Sequence, residues 1–312
     1  MTNKSTPFIV ISGPTASGKS ELALALAEKY NGEIISADSR QNYKLLDIGT
    51  AKPSKDELKR VKHHLIDFLD LNEIYSAGRF LKDSRALINS ISLSGKVPFI
   101  VGGTGFYTKS CLEGLPEIPI IPDEITGNLK KIIKEEGVKN LYNELIEKDP
   151  AYAKTIASTD HIRLVRSLSV IRTTGKPYSS YKVGDGERIK RPYFHFLIDP
   201  PKEVVKQRIA KRTIQMINSG WVDETRKILE MGYHVDCQGL QTIGYKEIIE
   251  YIKGKITIEE AEKKIITITG QYAKRQQTFF STQFNDGFDL KLWPADISKM
   301  IPILDGYLMI EY

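Results

Sequence analysis

Short apolar runs alternate with longer amphipathic stretches through the first third of the chain. Phe8, Ile9, Val10 and Ile11 form an unbroken apolar run that ends at Ser12. Residues 33–37 (EIISA) form a second run, and residues 97–101 (VPFIV) a third. Runs this short, bounded by glycine and polar residues, read as buried strands. Between them the period lengthens. Residues 21–29 read as helix, and residues 76–94 set Phe80, Leu81, Leu87, Ile88 and Ile91 at helical spacing before Gly95 stops the pattern. Such alternation predicts a mostly parallel sheet covered by helices. Pro116, Pro119 and Pro122 then mark a boundary. From Asp123 to about Tyr181, Leu129, Ile132, Ile133, Leu141, Leu145 and Ile146 keep helical spacing, with no strand signal. Phe194 to Ile198 (FHFLI) reads as a return strand, followed by a strongly basic helix and a mainly helical remainder. There, Thr257 and Glu260 form a capping box for a helix with Ile258, Ala261, Ile265 and Ile268 on its apolar side and Phe279-Phe280 at its end. The expected fold is therefore α/β: a core from residues 1–117 and 188–312, a helical insertion over 118–187, and a helical C-terminal part.

Composition narrows this modestly. The 312 residues are 41% hydrophobic and 27% charged, ordinary for a globular protein. No apolar stretch approaches the ~20 residues of a membrane span, and Lys4 with its short apolar run does not make a signal peptide, because cleavage would remove half of the loop described next. Cys111 and Cys237 have no pair or metal spacing, which suits unpaired thiols in a reducing cytoplasm. A net charge of +6 is a weak pointer to nucleic acid, so the placement of the charge matters more.

The sharpest chemistry lies where the first strand meets the first helix. Gly13, Pro14, Thr15, Ala16, Ser17, Gly18, Lys19 and Ser20 fit G-x-x-x-x-G-K-[ST] at every fixed position, in the strand–loop–helix context that this motif needs. Its glycines let successive N–H groups face one anion, the helix N-terminus adds partial positive charge, Lys19 reaches phosphate oxygens, and the Ser20 hydroxyl can hold Mg²⁺. The core is thus expected to be P-loop NTPase-like and to bind a diphosphate. Asp38, Ser39, Arg40 and Gln41 follow the second strand, so topology places them beside this loop; for Asp38 a helix cap and a reactive carboxylate are equally supported. The loop Gly102-Gly103-Thr104-Gly105 follows the third strand and offers a hydroxyl at Thr104. Lys52 suits either an anion or solvent. The adjacent pair His63-His64 is poorly arranged for a metal. Arg163, Arg166 and Arg172 sit at helical spacing, either as a solvated face or as one that tracks phosphates. The helix after residue 201 concentrates Lys202, Lys206, Arg208, Lys211 and Arg212 against Glu203.

With these residues placed, the chain resembles the tRNA dimethylallyltransferases (tRNA isopentenyltransferases). The segments that carry the resemblance are GPTASGKS (13–20), DSRQNYKLLDIGTAKP (38–53), YSAGRF (75–80), VGGTGFY (101–107), IRLVRSLSVIRTTGKP (162–177), the helix with Arg208, Arg212, Met216 and Gly220, IGYKE (243–247) and YAKRQQTFF (272–280). The resemblance implies transfer of a dimethylallyl group from its diphosphate to N6 of adenosine 37 in tRNA. Asp38 would act as base, Thr104 would orient the amine, and Arg212, the phosphate loop and Mg²⁺ on Ser20 would hold the diphosphate. It implies an anticodon stem-loop surface made of Asp38, Ser39, Arg40, Gln41, Thr104, Ile162, Arg163, Leu164, Val165, Arg166, Gln241, Thr242, Ile243, Gly244, Tyr245, Lys246, Lys274, Arg275 and Gln276. The insertion would clamp the anticodon stem, and the enzyme would work as a cytoplasmic monomer. Asn42, Ser169, Gly270, Phe279 and Ser281 depart from the usual pattern. Two other readings compete: an ATP-binding small-molecule kinase, for which Asp199 is the nearest second metal-binding acid, and a tRNA-binding relative without catalysis.

Overall fold

A computed structural model describes residues 7–184, 187–284 and 287–308; Lys4 and two residues of the polar loop at 184–191 lie outside the described residues. In chain order the elements are β1 (Phe8–Ser12), α1 (Lys19–Lys29), β2 (Gly32–Ser36), α2 (Lys55–Arg60), β3 (His63–His64), α3 (Ala77–Leu93), β4 (Val97–Gly102), α4 (Gly105–Glu113), α5 (Asp123–Glu136), α6 (Lys139–Lys148), α7 (Pro150–Ala153), α8 (His161–Thr174), β5 (Tyr193–Ile198), α9 (Lys202–Asn218), α10 (Trp221–Glu230), α11 (Tyr245–Ile252), α12 (Ile258–Thr282), β6 (Leu290–Leu292) and α13 (Ile297–Leu308). They form two compact units, Met1–Leu112 with Ile189–Tyr312, and Glu113–Arg188.

The first unit holds a six-stranded sheet in the order β3-β2-β4-β1-β5-β6, with every neighbouring pair parallel. β1 lies in its middle, and alternation along it divides the interior. Phe8 and Val10 face a cluster with Ile35, Ile100 and Phe80, whereas Ile9 and Ile11 face another with Leu26, Phe99 and Ile198. Burial on both faces is why these strands read as continuous apolar runs rather than as alternating ones. The parallel order puts the loops after β1, β2, β4 and β5 along one edge, which is where such sheets gather their ligands. Side chains cap the long helices: Ser76 Oγ accepts the Arg79 amide at 3.1 Å, and Thr257 and Glu260 exchange bonds at 3.2 and 2.8 Å.

Two strands add to the expectation. β3 pairs with β2 at one margin of the sheet, where His64 Nε2 lies 2.6 Å from Oε2 of the buried Glu33, which also binds Lys96, while His63 Nδ1 meets Val61 O at 2.8 Å; both histidines therefore make structural polar contacts. β6 pairs with β5 through Phe196↔Leu290 and Ile198↔Leu292, inside a stretch expected to be mainly helical. Three residues are too few to show a period, and β6 is held by α13, whose Met300 and Leu304 share its core.

The second unit consists of α5 to α8 around Leu129, Leu141, Leu145, Leu164 and Leu168. Its buried Asp149 caps α7 and also accepts from both the backbone and the hydroxyl of Ser179. In the first unit, Ile189 N donates to Leu112 O at 2.9 Å, so the chain closes on itself where the second unit leaves and returns. No helix among the described residues is long and apolar enough to cross a membrane.

Candidate active site

The phosphate loop leaves β1 and enters α1 through Ala16 and Gly18, whose φ values are 60° and 92°. A Cβ on Gly13 would lie 2.6 Å from Ile198 O, so the loop can seat against β5 only with glycine there. Ser17 N donates to Pro14 O at 3.3 Å and closes the turn, and Lys19 Nζ arches back to Pro14 O at 3.2 Å. Arg208 of α9 braces the loop from outside, donating to Ser17 O at 3.2 Å while its guanidinium lies 4.9 Å from the Trp293 ring centre. Ser17 Oγ is buried without a partner, and Ser20 is exposed at the first turn of α1.

The loop forms one wall of a cavity of about 1400 Å³. Asp38 and residues 39–41 line it from the end of β2, residues 49–53 from the loop that follows, Arg212 and Met216 from α9, and Tyr272 and Arg275 from α12. Asp38 Oδ1 accepts the amides of Arg40 at 2.8 Å and Gln41 at 3.3 Å. Its other oxygen makes no hydrogen bond among the described residues. One carboxylate thus meets both sequence readings, with one oxygen capping a turn and the other free. The neighbouring charges report its reach. Burial pushes the Lys19 ammonium down to about 8, with Asp38 opposing the shift and Arg212 adding to it. Burial also lowers Arg212, again with Asp38 opposing. The Tyr272 phenol rises to about 12, first from burial and next from the Asp38 charge. A carboxylate, an ammonium and a guanidinium therefore share one desolvated space, where their interactions exceed those in water.

Thr104 stands just behind this cavity. Its hydroxyl accepts the Ser39 amide at 3.0 Å and donates to the Ser39 hydroxyl at 3.4 Å, so it meets the cavity through Ser39. Sequence reading passed over Tyr272, although its place four residues before Gln276 puts both on one face of α12. Arg208 was noted for its charge but not as the brace of the loop. The Lys52 side chain is 6% exposed, and its Nζ is held at 2.6 Å by Asp47 and at 2.6 Å by Asp67, so the anions it faces are two of the protein's own carboxylates.

Several residues expected on an RNA surface lie inside the protein. Leu164 and Val165 belong to the core of the helical unit, whereas Ile162, Arg163 and Arg166 on the same helix are exposed. Tyr245 is fully buried and donates to Glu224 Oε1 at 2.6 Å. Thr242 is buried and donates to Gly239 O at 2.6 Å. Gln276 is buried with both ends of its amide engaged: Oε1 accepts Thr15 N at 2.8 Å, and Nε2 donates to Gly103 O at 2.7 Å. That bond also turns the Thr15 amide toward Gln276 rather than toward the loop's anion position. In each case a contiguous motif spans a helix or turn whose inward residues face the core. Lys246, Lys274 and Arg275 remain exposed, and Gln241 and Ile243 lie partly or fully covered near the same turn. Of the departures, Asn42 and Ser169 are buried, so they shape packing, and Phe279 packs where a Cβ on Gly105 would lie 2.4 Å away. Asp199 does not line the cavity and accepts from Gln277 at 3.1 Å. Among the described residues, no group of three or more His, Cys, Asp or Glu side chains could hold a metal.

The family model described as IPP transferase matches residues 41–283. The tRNA dimethylallyltransferase of Thermoanaerobacter sp. (strain X514) is 39% identical over 297 residues, covering 92% of this chain and 90% of that protein. That of Carboxydothermus hydrogenoformans is 41% identical, over 88% of this chain and 89% of its own. Among solved structures, the full-length tRNA isopentenylpyrophosphate transferase of Bacillus halodurans is 33% identical with a TM-score of 0.68, covering 97% of both chains. A eukaryotic dimethylallyltransferase acting on tRNA is 27% identical with a TM-score of 0.80, covering 97% of this chain and 80% of its own. This chain belongs to the IPP transferase family, the tRNA dimethylallyltransferases.

Proposed function

We propose that the chain transfers a dimethylallyl group from dimethylallyl diphosphate to N6 of adenosine 37 in the anticodon loop of tRNA, releasing diphosphate. The observation that carries this reading is the single cavity that joins the phosphate loop, Lys19 and Arg212 to the free oxygen of Asp38. The exocyclic amine is a weak nucleophile because its lone pair is delocalised into the purine. As it attacks C1 of the dimethylallyl group, the C1–O bond breaks, and the amine proton passes to Asp38. Negative charge grows on the departing diphosphate, where Lys19, Arg212, the partnerless Ser17 hydroxyl and the loop amides not held by Gln276 or Pro14 are available to it. Tyr272 lines the same cavity and gives the purine a wall within reach of the Asp38 charge.

Mg²⁺ fits this donor set. The Ser20 hydroxyl opens on the cavity without a protein partner, and no carboxylate cage surrounds it, which matches an ion held by one hydroxyl, water and diphosphate oxygens. Bound there, it would add positive charge to the leaving group. The target base must leave its stack to enter the cavity. The anticodon stem-loop would be held through Arg40, Lys246, Lys274 and Arg275 on the first unit, and through Arg163 and Arg166 on the helical unit, which would clamp the stem. The protein would work as a monomer in the cytoplasm, where its buried cysteines stay reduced.

The test is a single-turnover assay of Asp38→Ala with tRNA and dimethylallyl diphosphate, read by nucleoside mass spectrometry. The wild-type protein should form N6-isopentenyladenosine without ATP. The variant should lose at least ~100-fold in rate while keeping its tRNA affinity. Near-normal turnover would remove Asp38 as the base, and a wild-type requirement for ATP turnover would point back to a kinase.

A further inference from the structure

The amide of Gln276 touches both halves of the reaction centre from behind. Its oxygen accepts the Thr15 amide of the phosphate loop at 2.8 Å, and its nitrogen donates to Gly103 O, one residue before Thr104, at 2.7 Å. These two bonds join segments 261 and 173 residues away from Gln276 in the chain. The orientation of the amide is fixed by its partners, since a backbone N–H can only donate and a carbonyl can only accept. The side chain is buried, and a Cβ on Gly103 would come within 2.5 Å of its nitrogen, so the second glycine loop is shaped for this approach. Gln276 borders the cavity with only 8% of its surface exposed, and each end of its amide is already committed to backbone.

We propose that Gln276 is a positioning residue: it sets the spacing between the cradle that holds the departing diphosphate and the loop that orients the attacking amine. It acts through Thr15 on one side and through Gly103 and Thr104 on the other, and it touches neither substrate. Both reacting groups must meet at bonding distance, and misplacement by an ångström at such a centre costs orders of magnitude in rate. The effect belongs in the chemical step more than in binding, because each half-site keeps its own ligand contacts. This inference rests on the proposed prenyl transfer.

The experiment measures kcat, the KM for dimethylallyl diphosphate and the Kd for an anticodon stem-loop RNA in the wild type, Gln276→Ala and Gln276→Glu, across pH. Gln276→Ala should lower kcat by about 10- to 100-fold with little change in RNA affinity. Gln276→Glu carries the discriminating signature. Ionised, its carboxylate accepts from Thr15 but opposes the Gly103 carbonyl; protonated, it can make both bonds again. Burial and the facing carbonyl favour the protonated form. Its kcat relative to the wild type at the same pH should therefore climb as pH falls from about 8 to about 6. This comparison with the wild type cancels every pH dependence that the two proteins share, and it decides the matter if the alanine variant fails to fold. A wild-type kcat in Gln276→Ala, a flat Gln276→Glu ratio, or a loss confined to RNA affinity would overturn the proposal. A wild-type protein that forms no prenylated adenosine would instead overturn the reading of function.

Discussion

The carboxyl edge of the sheet and the helical unit of residues 113–188 are built on opposite plans. At the sheet edge, polar groups are bound to partners far away in sequence, and each bond has a buried or half-buried end: Thr15 to Gln276, Ser39 to Thr104, Arg208 to Ser17. In the helical unit the interior is mainly leucine and isoleucine, and the arginines of α8 are on the outside. Arg163 lies 3.5 Å from Asp160, and Arg172 makes two bonds to Glu144 at 3.1 and 2.6 Å. The contrast separates two kinds of work. A transition state needs donors fixed before it forms, so its residues are desolvated and cross-braced. A phosphate backbone needs charge at roughly the right place, which exposed side chains on a stable scaffold supply.

The largest predicted effect tests the first half of this contrast. Lys19→Met should lower kcat by about 100- to 1000-fold while leaving RNA affinity intact; an equal loss of RNA binding would erase the distinction between the two regions. The same lysine gives a pH signature. With its folded value pushed down to about 8, Lys19 is charged below that pH and neutral above it. A bound diphosphate favours the charged form, so affinity for a non-hydrolysable dimethylallyl diphosphate analogue should decline as pH rises through 8, with proton uptake on binding near that pH. Calorimetry in buffers of different ionisation enthalpy would detect the uptake, and its absence would place Lys19 away from the anion.

Arg212→Ala should come next. It should raise the KM for the prenyl donor by about tenfold, equivalent to ~1.4 kcal/mol, because it removes a buried cation facing the diphosphate. Unchanged donor kinetics would remove Arg212 from the site. Smallest is Arg166→Ala in the helical unit, which should weaken RNA binding several-fold and make the salt slope shallower by about 1. Arg172→Ala is its control, since a guanidinium already committed to Glu144 should leave the slope unchanged. Equal effects from the two would mean that the outer face of α8 is not organised for RNA.

The same contrast explains what the sequence disclosed. Glycine loops and buried strands were legible because their physics is local: Gly18 must adopt a left-handed φ, and both faces of β1 must be apolar. The capping box at Thr257 was legible for the same reason. Bonds between distant segments left no local mark. Nothing around Gln276 announces that its amide joins residues 15 and 103, and nothing in residues 290–292 announces a strand. Motif boundaries misled in the opposite direction. The resemblance carried whole segments across, Leu164, Val165 and Tyr245 included, although helical rotation sends these residues into the core. Tyr272 could have been found, since it shares a helix face with Gln276.

The backbone bond from Ile189 to Leu112 has a consequence for how such proteins diversify. The two ends of the 113–188 excursion are tied to each other before any residue of the excursion is counted. A segment that departs and re-enters at one doorway can be lengthened, trimmed or exchanged without shifting the register of β4 or β5. Changes confined to the excursion then leave the strands that carry the phosphate loop and Asp38 in place.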